Sequence, residues 1–210
     1  MYQTPYFKEK DHQAVLDFMR KHSFAMLTGC DAGSRPVATQ VPLLVEEKEG
    51  KLFLYGHIKR KTDHHLAFEQ NPRALALFTG PHAYISASWY TNQQNVSTWN
   101  YMSVHAGGTL RFVDDAALLD IITRTTTHYE QDAASPALVE KMPEEYLSRM
   151  MKAIVAFEIE VTSLESVFKL SQNRNKADYG QIIARLAAQG GEAALVAAEM
   201  EKLGSQLFKD

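Results

Sequence analysis

The sequence predicts an α+β protein, mainly β, built around a small barrel. Short apolar runs separated by tight turns open the chain, as in antiparallel sheets. The run Arg73 to Phe78 is apolar on both faces, as expected inside a closed barrel. Val155 to Val161 alternates apolar and polar residues with the two-residue period of a half-buried strand. We therefore expect one contiguous β core that is interrupted by helices.

The individual elements follow from local signals. Asp11 can cap a first helix, and Asn71-Pro72 ends a second one. The first three strands are predicted to form an antiparallel meander, with Glu46 to Gly50 as a polar connection and Gly107-Gly108 as a bulge or close backbone approach. Strands are expected over 24–28, 37–44, 51–57, 73–78, 82–86, 101–113 and 155–161. Helices are expected over 12–22, 63–70, 115–129, 140–151, 177–188 and 192–207.

Length and composition indicate a single domain. The chain has 210 residues, of which 45% are hydrophobic and 22% charged, an ordinary globular composition. We find no repeat, low-complexity tract or linker in the sequence. The prediction is one domain over 1–210, with a helical C-terminal segment from about 176.

Charge and cysteine content limit the partners and the compartment. A net charge of -3 gives no global basic field for DNA or an anionic membrane, so charge does not support direct DNA binding. No stretch reaches the ~18 apolar residues of a membrane helix. Cys30, the single cysteine, cannot form an internal disulfide, which suits a reducing cytoplasm.

A basic turn follows the third predicted strand. Lys59, Arg60 and Lys61 are consecutive cations between that strand and a helix that begins after Thr62. Cations beside the free N–H groups of a helix start suit a phosphate group, although a solvated basic turn is the plainer interpretation. No glycine-rich phosphate loop accompanies the turn.

No residue is assigned a catalytic or metal-binding role. His64 and His65 are adjacent, so on a helix they point about 100° apart and rarely bind one metal ion. No serine lies in a nucleophile elbow, and nothing selects among His57, His82 and His105 as an acid or base.

Two polar-aromatic segments are candidates for ligand contact. Trp89-Tyr90 and Trp99-Asn100-Tyr101 combine large rings with small polar residues, which suits a flat, partly polar ligand or a subunit interface. Ser171 to Arg174 places four polar side chains in a row after a strand, with a helix-entry loop as the alternative interpretation.

Several motifs, in one order along nearly the whole chain, resemble the PaiB-type family of bacterial FMN-binding negative transcriptional regulators. They are Gly56-His57 with Arg60, Ser88-Trp89-Tyr90, Thr98-Trp99-Asn100-Tyr101 and Lys169-Leu-Ser-Gln-Asn-Arg174. The resemblance implies a Greek-key split β-barrel of the FMN-binding type with peripheral helices, related to the pyridoxamine-phosphate oxidases.

The resemblance also implies a homodimer with an FMN site at the subunit interface. On this chain, the strand Ala38-Thr39-Gln40-Val41 would run along the isoalloxazine, and Gly56, His57, Arg60 and Lys61 would hold the ribityl phosphate. The other subunit would add groups from the regions of Trp99 and Asn100 and of Gln172 and Arg174. The expected role is regulation through flavin binding; the alternatives are an FMN-dependent oxidoreductase and a haem-binding or haem-degrading protein on the same fold.

Overall fold

The computed structural model describes residues 4–92 and 94–208, and this part of the chain contains seven strands and six α-helices. The strands are β1 (Phe24–Cys30), β2 (Pro36–Pro42), β3 (Leu44–Lys48), β4 (Lys51–Lys59), β5 (Arg73–Ile85), β6 (Thr98–Phe112) and β7 (Ile154–Lys169). The helices are α1 (His12–Lys21), α2 (Asp63–Gln70), α3 (Asp115–Glu130), α4 (Glu144–Met151), α5 (Lys176–Gln189) and α6 (Gly191–Leu207). None of these helices is long and apolar enough to span a membrane.

The six predicted helices are all present, and Asp11 caps the first as predicted, accepting from the backbone N–H groups of Gln13 and Ala14 at 2.9 and 3.3 Å. Asp114 accepts a hydrogen bond from the backbone N–H of Ala117 at 2.9 Å and so begins α3. Asn175 caps α5 in the same way. Only α4 is clearly shorter than predicted, because residues 139–141 form a separate 3₁₀ turn before it.

All seven strands belong to one sheet, in the order β2-β1-β5-β6-β7-β4-β3. The predicted meander is wrong, because β2 and β4 are not neighbours in this order. The predicted polar connection over 46–50 is also wrong, because β3 pairs antiparallel with β4 from Leu44 opposite Tyr55 to Lys48 opposite Lys51. Instead of a meander, the chain makes two separate hairpins on opposite edges of the sheet.

A single residue, Leu43, connects the strands at the two ends of the sheet. β2 ends at Pro42 and β3 begins at Leu44, although they are first and last in the sheet order. The two edges must therefore approach each other, which curls the sheet. Gly56 of β4 shows this approach: a Cβ there would lie 3.2 Å from the Pro42 carbonyl oxygen and 3.0 Å from Leu43 Cδ2.

The chain divides into two compact units. The second unit, residues 19–78 and 105–164, holds β1 to β4 and the adjoining parts of β5, β6 and β7. Its buried cluster of Tyr55, Leu118, Ile121 and Ala156 packs α3 against β4 and β7. The predicted close approach at Gly107-Gly108 is confirmed here, since a Cβ on Gly108 would overlap the Glu160 carbonyl oxygen.

The first unit contains residues 4–18, 79–92, 94–104 and 165–208. Helices α5 and α6 pack together through buried side chains, and the Tyr179 hydroxyl donates to the Met200 carbonyl at 2.8 Å. Burial raises the pKa of Tyr179, so this hydroxyl stays protonated and able to donate. The helical pair gives the unit its own core.

Candidate functional site

The basic turn of the second unit is held in a defined shape. Lys61 has a φ of 62°, in the left-handed region, so the chain reverses between β4 and α2. The Thr62 hydroxyl donates to the Lys59 carbonyl at 2.9 Å and accepts from the His65 N–H at 3.4 Å. These bonds cap α2 and fix the backbone that carries the cations.

Arg60 is only weakly paired at this turn. Its backbone N–H donates to the Ala153 carbonyl at 2.9 Å, while its guanidinium lies 3.8 Å from the carboxylate of Asp115. The Arg60 side chain is 38% exposed and that of Asp115 83% exposed, so water screens this pair. Arg60 also borders a cavity of about 500 Å³ with Leu119, Met151 and Lys152. Its charge therefore remains available to a more strongly charged anion.

His57 presents a buried nitrogen at the same end of β4. The residue lies opposite Ala156 of β7 and on the face of β4 that also carries Tyr55. Its Nδ1 atom is buried and has no hydrogen-bond partner within residues 4–92 and 94–208. Burial lowers the pKa of His57, so the ring is neutral at physiological pH. A buried polar atom of this kind is costly unless a ligand or water supplies the missing hydrogen bond.

The predicted isoalloxazine strand lies on an exposed, partly apolar sheet face. Val41 is buried, whereas Ala38 and Gln40 point outward opposite Thr28 and Met26 of β1. Met26 is 42% exposed, and Phe24 on the same face is 61% exposed. We call Phe24, Met26, Ala38 and Gln40 the outer face; Thr39 lies between its two β2 members and is half-buried.

Trp99 and Asn100, predicted together, lie on opposite faces of β6 in the first unit. Trp99 is 52% exposed and packs beside His82 and Tyr84, with ring centroids 6.0 and 5.9 Å apart. Asn100 is fully buried, and its amide exchanges hydrogen bonds with the Ser171 hydroxyl at 3.0 and 3.1 Å. A single ligand group could therefore contact either Trp99 or Asn100, but not both.

Gln172 and Arg174 shape the turn after β7. The Gln172 amide donates to the Phe168 carbonyl and accepts from the Leu170 N–H, so both ends of its side chain serve the turn itself. Arg174 lies 4.2 Å from the centre of the Tyr90 ring and donates to the Asn95 side chain at 2.8 Å. The turn is therefore preorganised by its own side chains.

The structure thus divides the predicted site residues between its units. The second unit brings the end of β4 and the basic turn together, and Gly56 of β4 lies against Pro42 and Leu43, where β2 ends. The residues of β6 and of the turn after β7 lie in the first unit. Within the described ranges, no three His, Cys, Asp or Glu side chains come together as a metal site would require.

Sequence reasoning missed two features of the first unit. Lys169 donates to the Thr98 hydroxyl at 2.5 Å and lines a pocket. The Asp178 carboxylate accepts hydrogen bonds from both the N–H and the hydroxyl of Thr91, at 2.7 and 2.8 Å. Both features join segments that lie more than 70 residues apart, so no local pattern could indicate them.

Comparison with known proteins agrees with this architecture. Residues 1–163 match the family described as "Putative FMN-binding domain". The chain is 34% identical over 209 residues to the protease synthase and sporulation protein PAI 2 of Bacillus subtilis (strain 168), covering 99% of this chain and all of that protein.

Solved structures share the fold at low sequence identity. The flavocytochrome Anf3 from Azotobacter vinelandii matches with a TM-score of 0.54 and 14% identity, over 83% of this chain and 75% of that one. The FAD and haem binding protein from Mycobacterium smegmatis matches with a TM-score of 0.52 and 16% identity, over 77% and 73%.

Fold and comparisons together define the class, a mainly β split barrel with peripheral helices, as the family resemblance implied. The chain belongs to the PaiB-type FMN-binding family.

Proposed function

We propose that this protein binds FMN as a homodimer and acts through that binding. The observation that carries the proposal is the polar end of β4, where His57, with its unpartnered Nδ1, lies three residues before Arg60 and four before Lys61. A neutral buried imidazole suits a hydrogen bond to an uncharged polar group, and two cations suit a phosphate. These are the two kinds of group that FMN carries.

The residues present fit FMN in a specific way. Arg60 and Lys61 would hold the phosphate by charge, with Gly56 and His57 beside them, and Ala38 to Val41 would run along the isoalloxazine. When bound, FMN supplies a ring system that accepts and returns electrons. The protein's own part is to bind and orient that ring and to shield it from water.

The outer face supports the dimer. Phe24 and Met26 expose much of their apolar surface beside Ala38 and Gln40, and exposed apolar faces of this kind are typical of interfaces. A second copy of this chain is the occupant that the family resemblance implies. The regions of Trp99 and Asn100 and of Gln172 and Arg174 would then be contributed across the interface. Because Asn100, Gln172 and Arg174 all serve internal hydrogen bonds, the exposed Trp99 is the better candidate for direct contact.

For the biological role, we infer negative regulation of transcription through the flavin rather than through direct DNA reading, in a cytoplasmic protein. The net charge of -3 supports this route, since DNA-reading surfaces are basic. A salt-dependent gel shift with promoter DNA tests it. We expect no sequence-specific retardation at physiological salt.

Titration of the purified protein with FMN, followed by flavin fluorescence, tests the binding itself. We expect saturable binding that the double variant Arg60→Ala, Lys61→Ala weakens about 10- to 100-fold, as the loss of charge-assisted hydrogen bonds implies. The matched control removes two exposed, ion-paired cations of the same unit, Lys51→Ala and Arg111→Ala. Absence of flavin uptake by the wild type, or equal losses in both double variants, would contradict the proposal.

A further inference from the structure

A second concave site lies entirely within the first unit. It has a volume of about 250 Å³, and its walls are Thr4, Tyr6, Phe7, Val96, Thr98, Asn100, Lys169, Ser171, Asn173 and Arg174. Among these described lining residues two side chains are cationic and none is acidic. Aromatic and aliphatic side chains form the rest of the wall beside hydroxyl and amide groups. The lining is therefore both positively charged and partly apolar.

Lys169 is the electrostatic centre of this pocket. Its ammonium group is partly buried, donates to the Thr98 hydroxyl and lies 5.9 Å from the centre of the Phe7 ring. Burial and the nearby charge of Arg174 both lower the pKa of Lys169. An anion in the pocket would offset the repulsion between the two cations and, by favouring the charged ammonium, would counteract the effect of burial on its pKa.

The cations are also held in place before any ligand arrives. Arg174 stacks on Tyr90 and donates to Asn95, and its backbone N–H donates to the Ser171 carbonyl at 3.0 Å. Ser171 itself is buried, has a φ of 62° and bonds to Asn100. A preorganised charge pays less ordering entropy on binding than a mobile surface lysine does.

The size and lining of the pocket define the class of ligand. A volume of about 250 Å³ lies below the range of about 300–1,000 Å³ that is typical for drug-sized ligands, so the occupant is compact. Lys169 and Thr98 suit an anionic oxygen, and Phe7, Tyr6 and Val96 suit an apolar body next to it. Inorganic phosphate would leave that apolar wall unused.

We propose that this pocket of the first unit binds the carboxylate of a compact apolar acid, anchored by Lys169, at a site separate from the flavin. The proposal does not rest on FMN binding. Asn100 and Arg174 are shared with the predicted flavin contacts, so the experiment has to separate the two ligands.

Isothermal titration of the full-length protein with benzoate is the test, with benzamide as the neutral isostere and inorganic phosphate as the anion that lacks an apolar body. We expect benzoate to bind best. Lys169→Met should weaken benzoate about 10- to 100-fold, the loss of one charge-assisted hydrogen bond. Lys202→Met, which removes an exposed lysine of α6 in the same unit, should leave benzoate binding unchanged.

A second pair of variants tests the anion site even if Lys169→Met does not fold. Val96 is 77% exposed at the pocket wall, so Val96→Asp adds a negative charge there without disturbing a core. It should weaken benzoate, whereas the near-isosteric Val96→Asn should not. Equal effects of Asp and Asn at position 96 would count against an anion site.

A final arm repeats the benzoate titration with saturating FMN, and the affinity for benzoate should be unchanged. Displacement of benzoate by FMN, no binding of benzoate to the wild type, or phosphate binding as tightly as benzoate would each overturn the proposal. If FMN itself does not bind, the proposed function fails, while the benzoate result without FMN still decides this inference.

Discussion

Asn100 shows how much one buried side chain can hold together at the residue scale. Its amide bonds to the Ser171 hydroxyl and donates to the Met200 sulfur at 3.4 Å, joining β6, the turn after β7 and α6 within the first unit. Buried polar groups that lose a partner cost more than the bond they made. Substitution of Asn100 or Ser171 therefore tests the stability of the fold rather than ligand binding.

Asn100→Ala should lower the free energy of unfolding by about 1–3 kcal/mol, because it leaves the Ser171 hydroxyl buried without its partner. Ser171→Gly is the matched second variant, since glycine tolerates the left-handed backbone there. Urea unfolding of both single variants and the double variant should give a coupling energy of about 0.5–3 kcal/mol. Strict additivity would show that the two side chains do not act together.

His57 makes stability depend on pH. Its pKa is lower in the folded chain than its ordinary value of 6.5, so the unfolded chain binds the proton more readily. Stability is therefore retained above about pH 6.5 and is lost as the pH falls from there towards the folded pKa. Urea unfolding between pH 7.5 and 5.5 should show a smaller loss in His57→Gln than in the wild type.

His128→Gln is the control for that comparison, since His128 lies exposed at the end of α3. It should follow the wild type across the pH range. A His57→Gln profile that runs parallel to the wild type would show that burial of the imidazole carries no pH dependence.

Gly108 is fixed by the close approach of β6 to β7. A Cβ there would meet the Glu160 carbonyl oxygen and Ile159 Cγ2, and backbone cannot move aside as a flexible side chain can. Gly108→Ala should therefore destabilise the protein by about 1–3 kcal/mol, as overpacking does. Gly180→Ala in α5 is the control: no described atom lies within 4 Å of its added Cβ, and alanine favours a helix by up to about 1 kcal/mol. Thermal unfolding should move the two variants in opposite directions.

The candidate site was partly predictable from residues alone. Consecutive cations before a capped helix are a local pattern, so Arg60 and Lys61 could be found. The opposite orientation of Trp99 and Asn100 could not, because the strand was expected to begin at 101 and in fact begins at Thr98. The Lys169 pocket needs three distant segments and has no local signal.

At the scale of elements, Asp178 ties the start of α5 to the segment after Trp89 and Tyr90. The carboxylate accepts from Thr91 and from the Asn175 side chain. The Thr91 N–H is the largest of the contacts that hold the pKa of Asp178 below its ordinary value of 3.8. The hydrogen bonds to this carboxylate are therefore intact above about pH 3.8 and weaken as the pH falls below that value.

Asp178→Ala should remove these hydrogen bonds, since the Thr91 N–H donates to no other acceptor within residues 4–92 and 94–208. Hydrogen exchange of the Thr91 N–H should become at least about tenfold faster, because each factor of ten corresponds to 1.4 kcal/mol of local opening. Glu201→Ala, an exposed carboxylate on α6 of the same unit, should leave the exchange unchanged. Unaltered exchange in Asp178→Ala would show that the segment is held by other contacts.

Element types were more predictable than element lengths. The helices carried apolar periodicity, and apart from α4 their bounds were close to the predicted ones. Strand β3 was missed because Glu46, Glu47 and Lys48 are polar, yet on an edge strand such residues face solvent and deter further pairing. Strand β5 was predicted as two strands, 73–78 and 82–86, whereas it is continuous from Arg73 to Ile85.

At the scale of the whole molecule, strand order lay beyond local patterns. Pairing of β1 with β5 and of β4 with β7 joins segments separated by two or more other elements. The sequence could indicate a closed barrel from the apolar run at 73–78 but could not indicate that Leu43 joins its two edges. Family resemblance, rather than periodicity, was what predicted the split form.

The proposed dimer makes a prediction at the same scale. Met26→Asp adds a charge to the outer face, where Met26 is 42% exposed, so it should disfavour association at little cost to the fold. Sedimentation should show a dimer for the wild type and a monomer for Met26→Asp, with FMN binding weakened at least about tenfold, or 1.4 kcal/mol.

Leu195→Asp provides the control, because Leu195 is 59% exposed on α6. Helix α6 belongs to the first unit, whereas the outer face belongs to the second. It should remain a dimer. A wild type that sediments as a monomer at micromolar concentration, or a Met26→Asp variant that stays dimeric, would contradict an interface at this face.

The division into two units determines what an optical experiment on this protein can see. Both tryptophans of the chain, Trp89 and Trp99, belong to the first unit. Intrinsic tryptophan emission therefore reports the denaturation of that unit only, while far-ultraviolet dichroism also records the strands of the second. If the two signals change at one denaturant concentration, the chain behaves as a single cooperative domain; if they separate, the emission trace describes less than half of the polypeptide.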